Sequence, residues 1–91
     1  MKLSTKGRYA VMAMSDLAVQ AQLDAERPVS LAELGARQNI SLSYLEQLFG
    51  RLRRAGLVTS MRGAHGGYCL AGDAGDICIG DIIRAVDEPI E

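Results

Sequence analysis

The segment from Ile40 to Gly56 carries polar side chains well suited to contact a ligand, interleaved with a regular apolar pattern. Its apolar residues have the i, i+3, i+4 and i+7 spacing of a helix with one buried side: Leu45, Leu48, Phe49 and Leu52. At roughly 100° per residue, the opposite side and its flanks carry Ser43, Tyr44, Glu46, Gln47, Gly50, Arg51, Arg53 and Arg54. Such donors and acceptors, together with Ser41 just before them, can contact base edges and phosphates, so the pattern predicts a helix that reads nucleic acid. An ordinary amphipathic surface helix is the alternative.

The ends of this helix are also encoded locally. Ser41 is suited to the N-cap position, and Ser43 with Glu46 has the spacing of an alternative capping box. Gly56 fits the left-handed position that follows a last helical turn. We therefore expect a short helix that begins near Ser41 and ends before Gly56.

A basic and aromatic cluster stands at the start of a second predicted helix. Ser4 or Thr5 can cap this helix, which we expect to run to about Gln22 with an apolar stripe on one side. The cluster consists of Lys2, Lys6, Arg8 and Tyr9. Because the N–H groups at a helix start favour anions, the cluster could contact phosphate; a solvated charged end is the alternative.

A glycine-rich turn follows the central helix. Residues 57–62 favour a strand, residues 63–67 must turn, and residues 68–70 can run back, which predicts a β-hairpin. Arg62 stands at the entrance to the tip and His65 within it. A hairpin placed here can act as a wing whose arginine enters a narrow minor groove. For His65, the alternatives are phosphate contact and simple solvation.

The remaining elements position these residues. Ser30 and Glu33 form a capping box that opens a helix ending near Gln38, so residues 30–55 read as a helix-turn-helix. After the wing, at about residues 57–70, we expect a strand over residues 77–79 and a helix capped by Asp81. The predicted fold is mostly α with a small β-hairpin wing, a winged helix-turn-helix formed by residues 1–91 as a single domain.

The 91-residue length limits the chain to one small core, and its charge is unevenly distributed. Residues 1–70 contain nine basic and five acidic side chains, whereas residues 71–91 contain one basic and six acidic side chains. The basic part suits phosphates, and the acidic end should stay clear of them. There is no apolar run of about 18 residues and no signal-peptide pattern, so we expect a cytoplasmic protein with no membrane partner.

The sequence contains no residue pattern typical of a catalytic or metal-binding site. Asp73, Asp76 and Asp81 lack a partner base or a metal-ligand spacing, which argues against an enzyme. Cys69 and Cys78 are expected to be buried free thiols. Because they and the single histidine do not show metal-site spacing, we predict no metal site.

Five segments together resemble the IscR-like family of bacterial winged-helix transcription regulators, and they cover nearly the whole chain. They are Leu3 to Ala10, Ser41 to Leu48, Gly56 to Val58, Arg62 to Tyr68, and Gly80 to Asp87. The resemblance implies a homodimer that binds double-stranded DNA at a roughly two-fold operator, with the helix from Ser41 in the major groove and the wing in the minor groove. It also suggests a link to iron–sulfur or sulfur metabolism.

Carried over position by position, the resemblance implies that several helix residues face bases and phosphates and that Arg62 is the wing arginine. The helix residues are Ser43, Tyr44, Glu46 and Gln47. Glu46 is the most informative of them, because a carboxylate near a base edge can accept a hydrogen bond from cytosine N4.

The chain also departs from this family. Many members hold an iron–sulfur cluster through three cysteines and a further ligand in a later loop, which a long dimerisation helix follows. The sequence given ends at Glu91, before both. Cys69 and Cys78 do not match those ligand positions, so we expect no cofactor in this chain. A cluster would require that the intact protein continue past Glu91, with this chain as its DNA-binding part.

The alternative function is a winged-helix module that binds another protein without reading DNA. Such a module would expose an apolar patch on the central helix, whereas the outer side of that helix is polar and basic. Together with the N-terminal cluster, this pattern favours DNA.

Overall fold

The fold is taken from a computed structural model that describes residues 4–24, 27–62 and 66–87. Over these residues, four α-helices and two β-strands follow one another in the order α1, α2, α3, β1, β2 and α4. Their bounds are α1 Thr5–Leu23, α2 Leu31–Gln38, α3 Leu42–Arg54, β1 Val58–Met61, β2 Gly67–Leu70 and α4 Ile79–Asp87, with a 3-10 turn at Ala74–Asp76. The predicted fold class, mostly α with a small β-hairpin, is confirmed.

Three of the helices are capped at their N-termini by serine hydroxyls. The side chains of Ser4, Ser30 and Ser41 accept hydrogen bonds from the backbone N–H groups three residues later. The alternative capping box that would begin the third helix at Ser43 is therefore wrong, and Glu46 is free of a capping role. At the other end of α3, Gly56 adopts a φ of 79°, the left-handed conformation predicted for it.

The core forms around the apolar side of α3. Phe49 and its stripe neighbours are at most 1% exposed, because helices α2 and α4 and strand β1 pack against α3. The buried side chains around this stripe are Ala10, Ala13, Met14, Leu17, Val29, Leu34, Val58, Ile82 and Val86. The predicted amphipathic pattern of α3 is thus satisfied by burial of one side only.

The turn between α2 and α3 depends on Asn39, which adopts a turn conformation, and on Gly35, which has no side chain. Asn39 adopts the left-handed conformation, with φ 56° and ψ 50°, and its N–H bonds to the Gly35 carbonyl. Ile40 N–H donates to the same carbonyl at 3.1 Å. A Cβ on Gly35 would lie 2.7 Å from the Ile40 carbonyl oxygen, so a larger residue at position 35 would push the two helices apart.

The hairpin is joined to the segment before α2. Strand β1 pairs antiparallel with β2, with Val58 opposite Leu70 and Met61 opposite Gly67. Tyr68 also exchanges two backbone hydrogen bonds with Val29, at 2.8 and 2.9 Å. The second strand is therefore bonded on both of its edges, which fixes the wing to the body of the protein.

A carboxylate near the middle of α1 holds α2 in place. Asp16, whose side chain is only 6% exposed, accepts hydrogen bonds from Arg37 at 2.7 and 3.0 Å and from the Gln38 amide at 3.1 Å. The paired hydrogen bonds from Arg37 lower the pKa of Asp16, although burial opposes this change. The same contact raises the pKa of Arg37.

We expect this pair to make stability depend on pH. Because the folded-state pKa of Asp16 lies below its ordinary value of 3.8, its contribution is present above pH 3.8 and is lost as pH falls below it. At neutral pH, Asp16→Asn should lower the free energy of unfolding by about 1–2 kcal/mol, a value reduced by the partial exposure of Arg37.

Chemical denaturation of the unchanged protein and of Asp16→Asn, from neutral pH to below pH 3.8, measures this difference in the free energy of unfolding. The difference between the two should shrink as the solution is acidified. The exposed Asp73 provides the control, since Asp73→Asn should follow the unchanged protein throughout. A constant difference down to strongly acidic pH would contradict the assigned role of Asp16.

Three expectations for the region after the wing are wrong. Residues 77–79 do not form a strand, because α4 already begins at Ile79 and the strands of the described sheet pair only with each other. Asp81 is not a cap, because the Cys78 carbonyl accepts the first bonds of α4 and Asp81 lies in the first turn, beside Arg84. Cys78 is exposed rather than buried, and Cys69 is half-buried; both are free thiols.

Tertiary packing explains why a helix begins at the end of the expected strand. Ile82 and Val86 are buried at helical spacing against the other helices, so Ile79 lies in α4 despite the strand preference of isoleucine.

Among the described residues, no helix is both long and apolar enough to cross a membrane.

Candidate nucleic-acid interface

The predicted contact residues in α3 and at its N-cap are on the outer side of the helix and differ in how exposed they are. Ser41, Ser43, Glu46, Gln47 and Arg54 are exposed, and Tyr44 and Arg51 are half-buried. Because the inner stripe is buried, the orientation of this outer side is fixed by the core. The basic residues of the last turn lie at the negative end of the helix dipole, which stabilises their charges.

The N-terminus of α1 is joined to this helix through two aromatic rings. Tyr9 meets Tyr44 of α3 edge to face, with ring centroids 5.7 Å apart and ring planes 85° apart. Lys6 and Arg8, which precede Tyr9 in the first turns of α1, are exposed. The structure thus brings the basic start of α1 beside the first turn of α3.

The same end of α1 contacts the end of α4. Ser4 Oγ accepts the Gly7 N–H at 2.9 Å and donates to the Asp87 carboxylate at 2.7 Å. A Cβ on Gly7 would come within 3.7 Å of both Ile83 and Asp87. The start of α1 is therefore held on one side by α3 and on the other by α4.

The wing carries Arg62 immediately after β1, where its side chain is exposed. The hairpin is anchored to α3 by Tyr68, whose ring lies 4.8 Å from that of Phe49. His65 and the neighbouring tip residues lie outside the described residues, as does Lys2 of the N-terminal cluster. The base of the wing is thus in contact with α3 through these two rings.

The described residues do not fit an iron–sulfur cluster. Cys69 lies in β2 and Cys78 lies just before α4, and no group of three potential metal-binding side chains occurs within residues 4–24, 27–62 and 66–87. Four thiolates are the usual ligands of such clusters. The two separate thiols of Cys69 and Cys78 therefore do not supply the ligand set of such a cluster.

Two features that position the interface were not predicted from the sequence. The Val29–Tyr68 bridge fixes the wing, and Asp16 with Arg37 fixes α2 behind α3. The signal for the first was Gly67, which lies where Val29 passes closest to the chain. The signal for the second was an aspartate on the apolar side of α1, although nothing in the sequence identifies its partner.

Comparisons with known proteins agree with this architecture. The HTH-type transcriptional regulator IscR of Photobacterium profundum is 58% identical over 91 residues, which are 100% of this chain and 51% of that protein. Its counterpart in Klebsiella pneumoniae is 56% identical, with 100% and 54% covered. The chain thus spans about half the length of the curated relatives it matches.

Solved structures give the same result. IscR of T. potens superposes with a TM-score of 0.84 at 53% identity, covering 100% of this chain and 64% of that one. CymR, the global cysteine regulator of B. subtilis, superposes with a TM-score of 0.87 at 48% identity, covering 99% and 67%. These relatives confirm both the winged-helix fold and the resemblance to IscR.

The sequence profile of one family extends over almost the whole chain. It matches residues 3–91, and its description is an iron-dependent transcriptional regulator. Together with the fold and the identities above, this match shows that the chain belongs to the Rrf2 family of transcriptional regulators.

Proposed function

We propose that residues 1–91 form a DNA-binding domain in which α3 reads duplex sequence, α1 contacts the adjacent backbone and the wing enters the neighbouring minor groove. The observation that carries this proposal is the sidedness of α3. Its apolar stripe is buried, whereas Ser43, Glu46 and Gln47 are exposed together. An α-helix with such an outer side fits the major groove, where amide, hydroxyl and carboxylate groups distinguish base pairs.

The surroundings of α3 suit phosphate contact. Lys6 and Arg8 are exposed at the start of α1, which the Tyr9–Tyr44 contact holds beside α3. Phosphate contacts position a protein on the duplex and leave sequence reading to the base edges. We place α1 on the backbone beside the groove that α3 occupies, and we place Arg62 in the neighbouring minor groove.

Further features of the proposal rest on the relatives. We propose that the intact protein is a homodimer at a roughly two-fold operator, as the resemblance to IscR implies. A link to iron–sulfur or sulfur metabolism is supported by the iron-dependent description of the family and by the name of CymR as a cysteine regulator.

Selection of bound duplexes from a random DNA library tests this function. The proposal expects a recurring half-site, or two half-sites arranged as a palindrome. If the bound pool has no sequence in common after several rounds, α3 does not read bases. The rival function, binding of a protein partner by α3, would then be favoured.

The wing arginine should contribute affinity at positions beside the half-site. We expect Arg62→Ala to weaken binding of the selected duplex about 5- to 20-fold, to lower the salt slope by about 1, and to reduce preference at flanking A·T pairs. Affinity measured against salt concentration for a set of flanking sequences gives all three quantities.

Arg84→Ala is the charge-matched control, since Arg84 is exposed on α4 and pairs with Asp81. This variant should change affinity less than Arg62→Ala and leave the flanking preference unchanged. Equal flanking preference in Arg62→Ala and the unchanged protein would remove Arg62 from the minor groove.

A further inference from the structure

The first residue of α3 is an exposed leucine with no role in the core. The Leu42 side chain is 50% exposed and stands outside the set of apolar side chains buried in or packed against the core. In α3, all of which the structure describes, it is the one large apolar residue classed as exposed. Core packing therefore does not explain a leucine at this position.

Helix formation does not explain it either. The hydroxyl of Ser41 already accepts the Tyr44 N–H at 3.3 Å, so the N-terminus of α3 is capped without any help from Leu42. First-turn positions favour proline and acidic residues, which complement the helix start and its dipole. An apolar side chain at the first position brings neither advantage.

The position of Leu42 on the helix places it beside a proposed base-reading residue. Glu46 follows four residues later, and side chains with this spacing lie on the same flank, one turn apart. Both are exposed. On the side of α3 where Glu46 would offer its carboxylate to a base edge, the preceding turn therefore carries the aliphatic side chain of Leu42.

We propose that Leu42 is a specificity-determining residue that contacts the C5-methyl group of a thymine in the major groove. The methyl group is the apolar feature by which a protein distinguishes thymine there, and an aliphatic side chain can contact it. Because four residues advance a helix by about 6 Å and base pairs stack at about 3.4 Å, this thymine lies within about two base pairs of the one that Glu46 reads. The inference rests on the proposed DNA-binding function.

Single replacements of thymine by deoxyuridine in the selected duplex test the assignment, since each removes only one methyl group. At one position we expect the unchanged protein to lose about 3- to 5-fold in affinity, the value of one buried carbon group. Leu42→Ala should lose less than about 1.5-fold at that same position, because the methyl group no longer has a partner.

Two further variants make the comparison specific. Leu42→Gln keeps the length and helix preference of the side chain while removing its apolar end, so it should behave as Leu42→Ala does. Leu23→Ala truncates another exposed leucine at the end of α1, about 27 Å along the helix from Thr5. It should respond to each deoxyuridine as the unchanged protein does.

The possible outcomes are distinct. Equal losses in Leu42→Ala and the unchanged protein would overturn the assignment, because another group would then contact the methyl. A protein insensitive to every deoxyuridine would overturn it as well. If the unchanged protein does not distinguish the selected duplex from a scrambled one, the proposed DNA-reading function itself fails, and this assignment with it.

Discussion

Gly67→Ala should destabilise the protein by about 2–3 kcal/mol, because the added methyl group has no space. A Cβ at this position would lie 2.4 Å from the Val29 carbonyl oxygen, 2.5 Å from its carbon and 2.8 Å from Ser30 N. These are backbone atoms held by the bonds between Val29 and Tyr68, so they cannot move aside without breaking that bridge. Thermal unfolding should shift by roughly 10–20 °C for a domain of this size.

The same substitution should also weaken DNA binding, since the bridge holds the wing that carries Arg62. Gly75→Ala is the matched control, because nothing lies within 4 Å of a Cβ placed there. Its unfolding midpoint should stay close to that of the unchanged protein. Equal midpoints for the two alanine variants would mean that Val29 and β2 do not approach each other as described.

Glu46→Ala should broaden base preference without destabilising the fold. Ser41 caps α3 and Glu46 is exposed, so the free energy of unfolding should change by less than about 0.5 kcal/mol. Loss of a carboxylate that accepts from a cytosine amino group should cost about 1–3 kcal/mol of discrimination at one base pair. Relative affinities for the four base pairs at each half-site position measure the change.

Removing a negative charge also strengthens attraction to any DNA, and this general effect needs its own control. Asp76→Ala removes the same charge from the exposed 3-10 turn. It should alter affinity for all duplexes alike and leave the pattern of preference intact. If Glu46→Ala gave the same uniform change, Glu46 would have no part in reading bases.

The helices were largely predictable from sequence because their signals are local. Three serines, at positions 4, 30 and 41, each predict the N-cap of a helix. The spacing of the leucines in α3 predicts that one side of that helix is buried. The resemblance to IscR, drawn from several short motifs in the right order, was likewise confirmed. Periodicity and capping depend on residues within one or two turns, which a single sequence records directly.

The features that were missed depend on residues distant along the chain. Asp16 meets Arg37 across 21 positions, and Val29 meets Tyr68 across 39, so neither pair leaves a local pattern. The expected strand at residues 77–79 was wrong for a related reason, since Ile82 and Val86 are buried against other helices and Ile79 lies in the same helix, α4. For the interface, sequence predicted which residues are exposed on α3; their contacts with bases stay a prediction.

One titration tests most directly whether residues 1–91 read DNA sequence. Affinity for the selected duplex and for a scrambled duplex of equal composition is measured over a series of salt concentrations. We expect log affinity to fall linearly with log salt, by about 0.9 for each phosphate contacted. The selected duplex should bind at least about tenfold more tightly, below the 10³-fold typical of complete sites because one domain reads one half-site. Equal affinity for both duplexes, or binding that salt does not weaken, would contradict the proposed reading of DNA sequence.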